Sequence, residues 1–303
     1  MLTLVEENSI SAGLTALLKI LERKKARGVD TLSLKPETEQ TLSALPMELM
    51  KVATEAKTAA SASAAMRART HSGDSLGEPA IQEEERDENW VRGQLNAIFK
   101  DAKACARCRE LGTLREQIVF ATGNPMADLM FVGEAPGAEE EKQRKPFAGP
   151  AGRKLDQIIG AMGLKRDDVY VSNIVKFRPK KGDGRMQGTS NRKPDTAEME
   201  ASVQYIRREI EVVRPKAIVA LGGTAAEGLL EVAGSVSSMR NKVHDFHGIP
   251  VVVTYHPSFL LRQEGDGDPQ KVMAMKRRVW EDALKAMELL EMPISEKQRG
   301  YFI

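Results

Sequence analysis

Cysteine is nearly absent from this 303-residue chain, which contains only Cys105 and Cys108. Two cysteines cannot build the disulfide framework of a small secreted domain, and their C-x-x-C spacing points instead to metal or redox chemistry. Long apolar runs are also missing. No window approaches the ~20 consecutive apolar residues of a membrane-spanning helix, and the first residues, MLTLVEENSI, carry acidic groups where a secretory signal has a basic segment. A soluble, cytoplasmic protein without a membrane partner is expected. The first strand candidate is followed by neither G-x-G-x-x-G nor G-x-x-x-x-G-K, which counts against a nucleotide-binding enzyme of the generic doubly wound type. A strong charge imbalance is lacking too. The net charge is +2, distributed as roughly zero over residues 1–52, −4 over 53–90 and +6 over 91–303. A basic excess that small permits a nucleic-acid partner without requiring one.

The length allows one full α/β domain and a smaller appendage. Apolar residues recur at helical spacing over 10–27 (Leu14, Leu17, Leu18, Leu21), and 42–52 can form a second short helix, so 1–52 reads as a helical N-terminal extension. Residues 53–90, rich in Ala, Ser and Glu and poor in large apolar side chains, read as a flexible linker. From 91 to 292 short β-rich runs alternate with helical stretches, and 293–303 is left as a C-terminal tail. Strands are predicted at 129–132, 169–175, 217–221 and 250–254, and helices at 151–162, 196–213, 224–232 and 271–290. The alternation predicts a three-layer α/β/α sandwich around a four-stranded, mainly parallel sheet. Ligands in such sheets sit beyond the carboxyl ends of the strands, so the segments that follow strands are the places to read for chemistry.

The first strand runs into Gly133-Glu134-Ala135-Pro136-Gly137, a turn whose glycines and proline let the backbone bend sharply and approach a ligand. Glu134 there can orient or activate a water, or stand as a solvated turn residue. Phe147, set among small residues in KPFAGPAG, can stack on a planar base or anchor its loop in the core. Asn173, in an otherwise apolar strand, must find hydrogen-bond partners and can read a base edge or brace nearby backbone. His256 follows the last strand, where a neutral imidazole can stabilise negative charge on a leaving group. Pro257, Ser258, Leu260, Leu261 and Arg262 then form a segment with apolar tips and a basic flank, read as a loop able to wedge into a duplex.

In this order and spacing GEAPG, PFAG, SNIVKFRP, RPKAIVALGGTAA and HPS resemble the family 4 uracil-DNA glycosylases over about residues 100–290, and KRRVWEDAL looks like that family's C-terminal helix. The resemblance implies an enzyme that flips uracil out of DNA and hydrolyses its N-glycosidic bond, acting as a monomer on uracil-containing DNA. It implies that Phe147 stacks on the base, Asn173 bonds its polar edge, and Gly133 and Ala135 complete the uracil site. His256 would contact the oxygen where charge accumulates, and Glu134 would position water or stabilise the sugar cation. Ala135 stands where the superfamily's best-known family has an aspartate, so that general base is missing. Leu260 or Leu261 would fill the vacated stack, and Arg153, Lys176, Arg178 and Arg262 are candidates to hold phosphates. The alternative is a protein that keeps the fold to bind DNA or a repair complex without catalysis. Retention of Glu134, Phe147, Asn173 and His256 argues against it.

The pattern departs from the family at its [4Fe–4S] cluster. Cys105 and Cys108 match the first two of four cysteine ligands, but Phe177 and Ser202 occupy the other two positions. The expectation is loss of the cluster with apolar repacking around Phe177 and no cofactor, zinc completed by other side chains being the alternative. The loop over 180–193 (KKGDGRMQGTSNRK) is expected to be a loose surface insertion. The N-terminal helices are expected to dock a replication or repair protein through their leucine face.

Overall fold

The computed structural model describes residues 86–303 apart from positions 233 and 266. The extension expected over 1–52 and nearly all of the linker lie outside the described residues. Four strands form the centre of the sheet: β3 (Leu129–Gly133), β4 (Tyr170–Asn173), β6 (Ala217–Leu221) and β8 (Ile249–Thr254). They are parallel, in the order β4-β3-β6-β8. Their near-continuous apolar sequences follow from burial on both faces. Met130, Val132, Ile218 and Ala220 face one core, while Leu129, Phe131, Val219 and Leu221 face the other.

The sheet has six strands rather than four, because an antiparallel strand is added at each edge. β2 (Thr122–Gly123) pairs with β4, and β7 (Val243–Phe246) pairs with β8. Both escape sequence reading for physical reasons: β2 is only two residues long, and β7 is largely exposed and lacks an apolar face. A separate antiparallel ribbon joins β1 (Leu114–Ile118) to β5 (Phe177–Pro179).

On the Met130 face lie α1 (Glu88–Lys103), the short α2 (Ala106–Glu110) and α5 (Thr196–Val213), with α6 (Gly223–Leu230) beside them. α1 begins inside the segment read as linker. Asp87 caps it by accepting from the Trp90 N–H, and Val91, Leu95, Ile98 and Ala102 form its buried stripe. The opposite face is covered by α4 (Pro150–Ala161) and α9 (Pro269–Leu289), which bury Leu155, Ile159, Trp280, Leu284 and Met287. The short α3 (Ala138–Gln143) and α7 (Val236–Met239) sit in connections. The C-terminal segment is docked rather than trailing. It forms α10 (Glu296–Arg299), the Trp280 indole donates to the Gln298 carbonyl at 2.6 Å, and Gln298 Nε2 donates to Ala161 O at 3.0 Å. None of the described helices is long and apolar enough to cross a membrane.

Register decides where function can sit. Gly133 lies level with Asn173, and Leu221 with Thr254, so the carboxyl ends of all four parallel strands meet along one edge. The segments after β3, β6 and β8 therefore open onto a common rim.

Candidate active site

Beyond that rim lies a cleft of about 670 Å³, whose lining includes Glu134, Phe147, Asn173, Tyr255 and His256. Gly133 packs directly behind two of these residues. A Cβ at this position would stand 2.4 Å from Asn173 Oδ1 and 2.5 Å from Phe147 Cζ, so only glycine lets the amide and the ring approach each other. Asn173, the last residue of β4, is 2 % exposed, and its carboxamide has no hydrogen-bond partner among the described residues. An amide buried at a cleft wall with nothing to bond is prepared for a polar ligand.

Phe147 is held in the left-handed region at φ 54°, costly for an aromatic residue unless the surroundings enforce it. Two devices do so. Gly152 of α4 packs so closely that a Cβ would fall 1.6 Å from the Phe147 carbonyl oxygen. Glu140 of α3 reaches back, one carboxylate oxygen accepting from the Gly137 N–H at 3.1 Å and the other from the Gly149 N–H at 2.9 Å. One side chain thus ties the GEAPG turn to the PFAG turn. The Phe147 ring lies 5.6 Å from the imidazole of His256, tilted by 31°.

His256 leaves the end of β8 with its tautomer determined. Nδ1 accepts from the Ser258 N–H at 3.2 Å, which leaves the proton of the neutral ring on Nε2. Ser258 Oγ lies 2.8 Å from Nδ1 and accepts from Arg262 Nη1 at 3.3 Å. Burial, aided by the charge of Arg262, lowers the ring's pKa to about 4 and keeps it neutral near pH 7. Gly222, at φ 97°, makes room for it, since a Cβ there would come 3.2 Å from His256 Cβ. Across the cleft, burial raises the Glu134 carboxyl above its ordinary value, opposed by a hydrogen bond from the Thr224 hydroxyl and by the charges of Lys193 and Arg262.

Glu134, Phe147, Asn173 and His256, named from the sequence, line one cleft, whereas Glu140, Thr224, Gly152 and Gly222, which hold them, were not named. The position of Glu140 three residues after Gly137, at the start of a helix, was a usable signal of a carboxylate returning to backbone N–H groups. Thr224 carried none, because only the parallel register of β3 and β6 brings it to Glu134.

Several expectations change. The segment after His256 is a helix, α8 (Pro257–Gly265), not a loop. Proline suits a helix's first turn, and the sequence behind it is long enough to pack. Pro257 is buried, and Leu260 is 3 % exposed, packed with Tyr255 and Val279, so it is not a free wedge. Leu261 is the half-exposed leucine, and Arg262 is exposed. Lys176 and Arg178 are buried and cannot hold phosphates: Lys176 pairs with Glu209, and Arg178 with Glu141. Arg153 remains exposed. The 180–193 loop is pinned rather than loose. Arg178 donates to Gly188 O, Ser190 O and Asn191 Oδ1, and Gln187 donates to Pro179 O and Ser190 O. Its last residues, Asn191, Arg192 and Lys193, line the cleft.

A superfamily profile described as "Uracil DNA glycosylase superfamily" matches residues 120–284. The chain belongs to the uracil-DNA glycosylase superfamily. It is 34 % identical over 205 residues to a type-4 uracil-DNA glycosylase of Thermotoga maritima, covering 67 % of this chain and 98 % of that protein. It is 32 % identical over 191 residues to the type-4 enzyme of Archaeoglobus fulgidus, covering 59 % of this chain and 91 % of that one. A type-5 uracil-DNA glycosylase of Pyrobaculum aerophilum is 28 % identical over 224 residues, covering 63 % and 95 %. Within this superfamily the chain is of the type-4 kind.

The residues present do not fit a four-cysteine iron–sulfur cluster. Cys105 and Cys108 are buried in the core with Phe177, Met199 and Tyr205, and the Ser202 hydroxyl is occupied in accepting from the Lys176 N–H at 3.1 Å. Among the described residues no group of three or more His, Cys, Asp or Glu side chains is placed to hold a metal. Burial pushes the Cys105 thiol up, but hydrogen bonds from Tyr205 and Cys108 outweigh it, and the net shift is downward. Burial, with Cys105 alongside, raises Cys108 to about 12.

Proposed function

We propose that this protein is a uracil-DNA glycosylase that binds an extruded deoxyuridine in the cleft and hydrolyses its N-glycosidic bond, leaving an abasic site and free uracil. The observation that carries the reading is the convergence of an unpartnered Asn173 carboxamide, the Phe147 ring and a neutral His256 with its proton on Nε2. An amide offers a donor and an acceptor that match the polar edge of uracil, and the ring offers a face for stacking. As the bond breaks the electron pair moves onto the base, and the Nε2–H of His256 donates to the oxygen that becomes negative. A neutral donor suits this step, since it stabilises the anion by a hydrogen bond while its proton stays on nitrogen.

The sugar fragment becomes cation-like and takes up water at C1′, and the proton this water releases passes to the uracil anion, which leaves as neutral uracil. Glu134 serves that fragment, as the carboxylate that orients the water and offsets the positive charge, with Thr224 fixing its direction. Ala135, beside it, has no group to act as a base, so charge stabilisation on both fragments carries the reaction. Arg262 and the half-exposed Leu261 of α8 are the proposed DNA-contacting residues, with Ser258 setting the imidazole as well as approaching the backbone of the strand. The protein is proposed to work without a four-cysteine cluster.

The test is excision from a labelled uracil-containing oligonucleotide followed by alkaline cleavage, comparing the wild type with Asn173→Ala and His256→Ala. Cleavage by the wild type that falls at least 100-fold in both variants is expected, in line with the loss of one oriented donor at a developing charge, about 10²–10³. No cleavage by folded wild-type protein on single strands, U·G or U·A duplexes would leave a DNA-binding protein without catalysis.

A further inference from the structure

We infer that Lys176 and Glu209 are positioning residues for base recognition: a buried ion pair that holds the backbone of Asn173 in the register from which its carboxamide faces the cleft. This inference rests on the glycosylase reading and adds a second layer of residues to it. Lys176 and Glu209 have fully buried side chains, and Lys176 Nζ lies 2.5 Å from Glu209 Oε1. The ammonium also donates to Ser172 Oγ at 2.7 Å and to the Asn173 carbonyl at 2.8 Å. The other Glu209 oxygen accepts from Ser172 Oγ at 2.7 Å and from the Tyr170 hydroxyl at 3.1 Å. The Phe120 ring covers the ammonium at 5.4 Å.

The place of this cluster in the sheet explains its use. β4 has a partner on its outer side only as far as β2 reaches, opposite Tyr170 and Val171. Beyond that point the Asn173 carbonyl has no strand to bond, and Lys176 takes the place of one. On the inner side the N–H groups of Ile174 and Val175 bond the carbonyls of Gly133 and Glu134 at 3.0 Å. The chain from 173 to 176 is therefore gripped from both sides. The outer grip is anchored to α5 at two points, because Ser202, which accepts from the Lys176 N–H, and Glu209 both belong to that helix.

Stability alone does not account for such a pair, since apolar residues of similar volume usually pack as well as a buried salt bridge or better. Direction does account for it. The Asn173 amide is wedged against Gly133 with no spare room, and a reading group must be held to within a fraction of an ångström for its bonds to form as the base arrives.

The test compares wild type, Glu209→Gln, Lys176→Met and the double variant Lys176→Met/Glu209→Leu, which removes both charges while keeping volume. Single-turnover uracil excision, inhibition by free uracil, affinity for undamaged DNA and thermal melting are read on each. The double variant is expected to remain folded and to lose about 30- to 100-fold in excision. Free uracil should inhibit it correspondingly more weakly, with affinity for undamaged DNA unchanged. Glu209→Gln should lie between it and wild type. A folded double variant whose excision and uracil inhibition match wild type, whatever its melting temperature, overturns the inference and leaves the glycosylase reading intact. A wild type that neither excises nor is occupied by uracil overturns both.

Discussion

Gly133→Ala is the sharpest probe of the site, because it adds one carbon at a place where nothing polar is lost. The new Cβ would stand 2.4 Å from Asn173 Oδ1, 2.5 Å from Phe147 Cζ and 2.7 Å from Phe147 Cε2, whereas ordinary contact begins at 3.4 Å. The amide and the ring must each retreat by about 1 Å. Neither can do so freely, since both are buried and Phe147 is fixed through Gly152 and Glu140. Overpacking of this kind costs about 1–3 kcal/mol, which in a domain of this size lowers melting by a few degrees per kcal/mol, about 2–4 °C. The folded fraction at 25 °C stays near one, yet a misplacement of about 1 Å at a reading group costs about 10²-fold in rate. Single-turnover excision with excess enzyme, alongside thermal melting, measures both. Because the alanine acts through Asn173 as well as Phe147, its effect should shrink, without vanishing, when Asn173→Ala is already present. A stable Gly133→Ala protein with excision within about three-fold of wild type, or an effect fully additive with Asn173→Ala, would refute the packing argument.

The pH profile of excision should fall on the acid side through protonation of Glu134, above its ordinary value of 4.5, with His256 protonating only near 4. Glu134→Gln should remove the first step and leave the second; an inflection at the ordinary histidine value of 6.5 would contradict the neutral ring. By linkage, the unfolded imidazole binds its proton at 6.5 and the folded one only near 4, so native stability should decline as pH falls across that interval, measurable by urea melts with and without His256→Asn. Thr224→Val removes the hydrogen bond that holds the Glu134 carboxyl down, so the acid limb should move to higher pH and excision should drop by about three- to ten-fold. Arg240 and Asp282 form a buried two-point pair with contacts of 3.0 and 3.1 Å, and Arg240 also lies over the ring of Tyr255 in the cleft wall; Arg240→Met should cost about 3–5 kcal/mol in denaturant melts. Cys105→Ser/Cys108→Ser should lower stability by about 1–3 kcal/mol by placing hydroxyls in an apolar core, with excision unchanged; abolished excision in folded protein would show that the thiols hold something catalysis requires.

The four parallel strands and the major helices were legible because burial on both faces writes continuous apolar runs, and amphipathic helices write a 3.6-residue period. What escaped had no such signature. β7 is exposed, β2 is two residues long, and α8 carries its apolar residues behind a proline that reads as a turn. In the site the groups expected to touch the substrate were readable one by one, since Asn173 interrupts an apolar strand and His256 follows another. Their supports were not readable. Glu209 lies within a helix that looks amphipathic with or without it, and its partnership with Lys176 exists only after β4 is laid against α5. The same limit misassigned Lys176 and Arg178 as exposed cations, because a basic side chain in or beside a short strand gives no local sign that a carboxylate will meet it inside.

The order of the strands has a consequence for the history of each molecule as it folds. Glu134, Asn173, Thr224 and His256 arrive at or just past the ends of β3, β4, β6 and β8, four strands that pair in the order β4-β3-β6-β8. A nascent chain that has completed β4 owns the amide and the aromatic ring yet lacks the imidazole, and a fragment beginning after α5 has the reverse. No half of the domain can recognise a base by itself. Uracil binding is therefore a reporter of whole-sheet closure: two fragments divided between α5 and β6 should each be blind to uracil, and recovery of binding on mixing would time the moment at which β3 and β6 find their register.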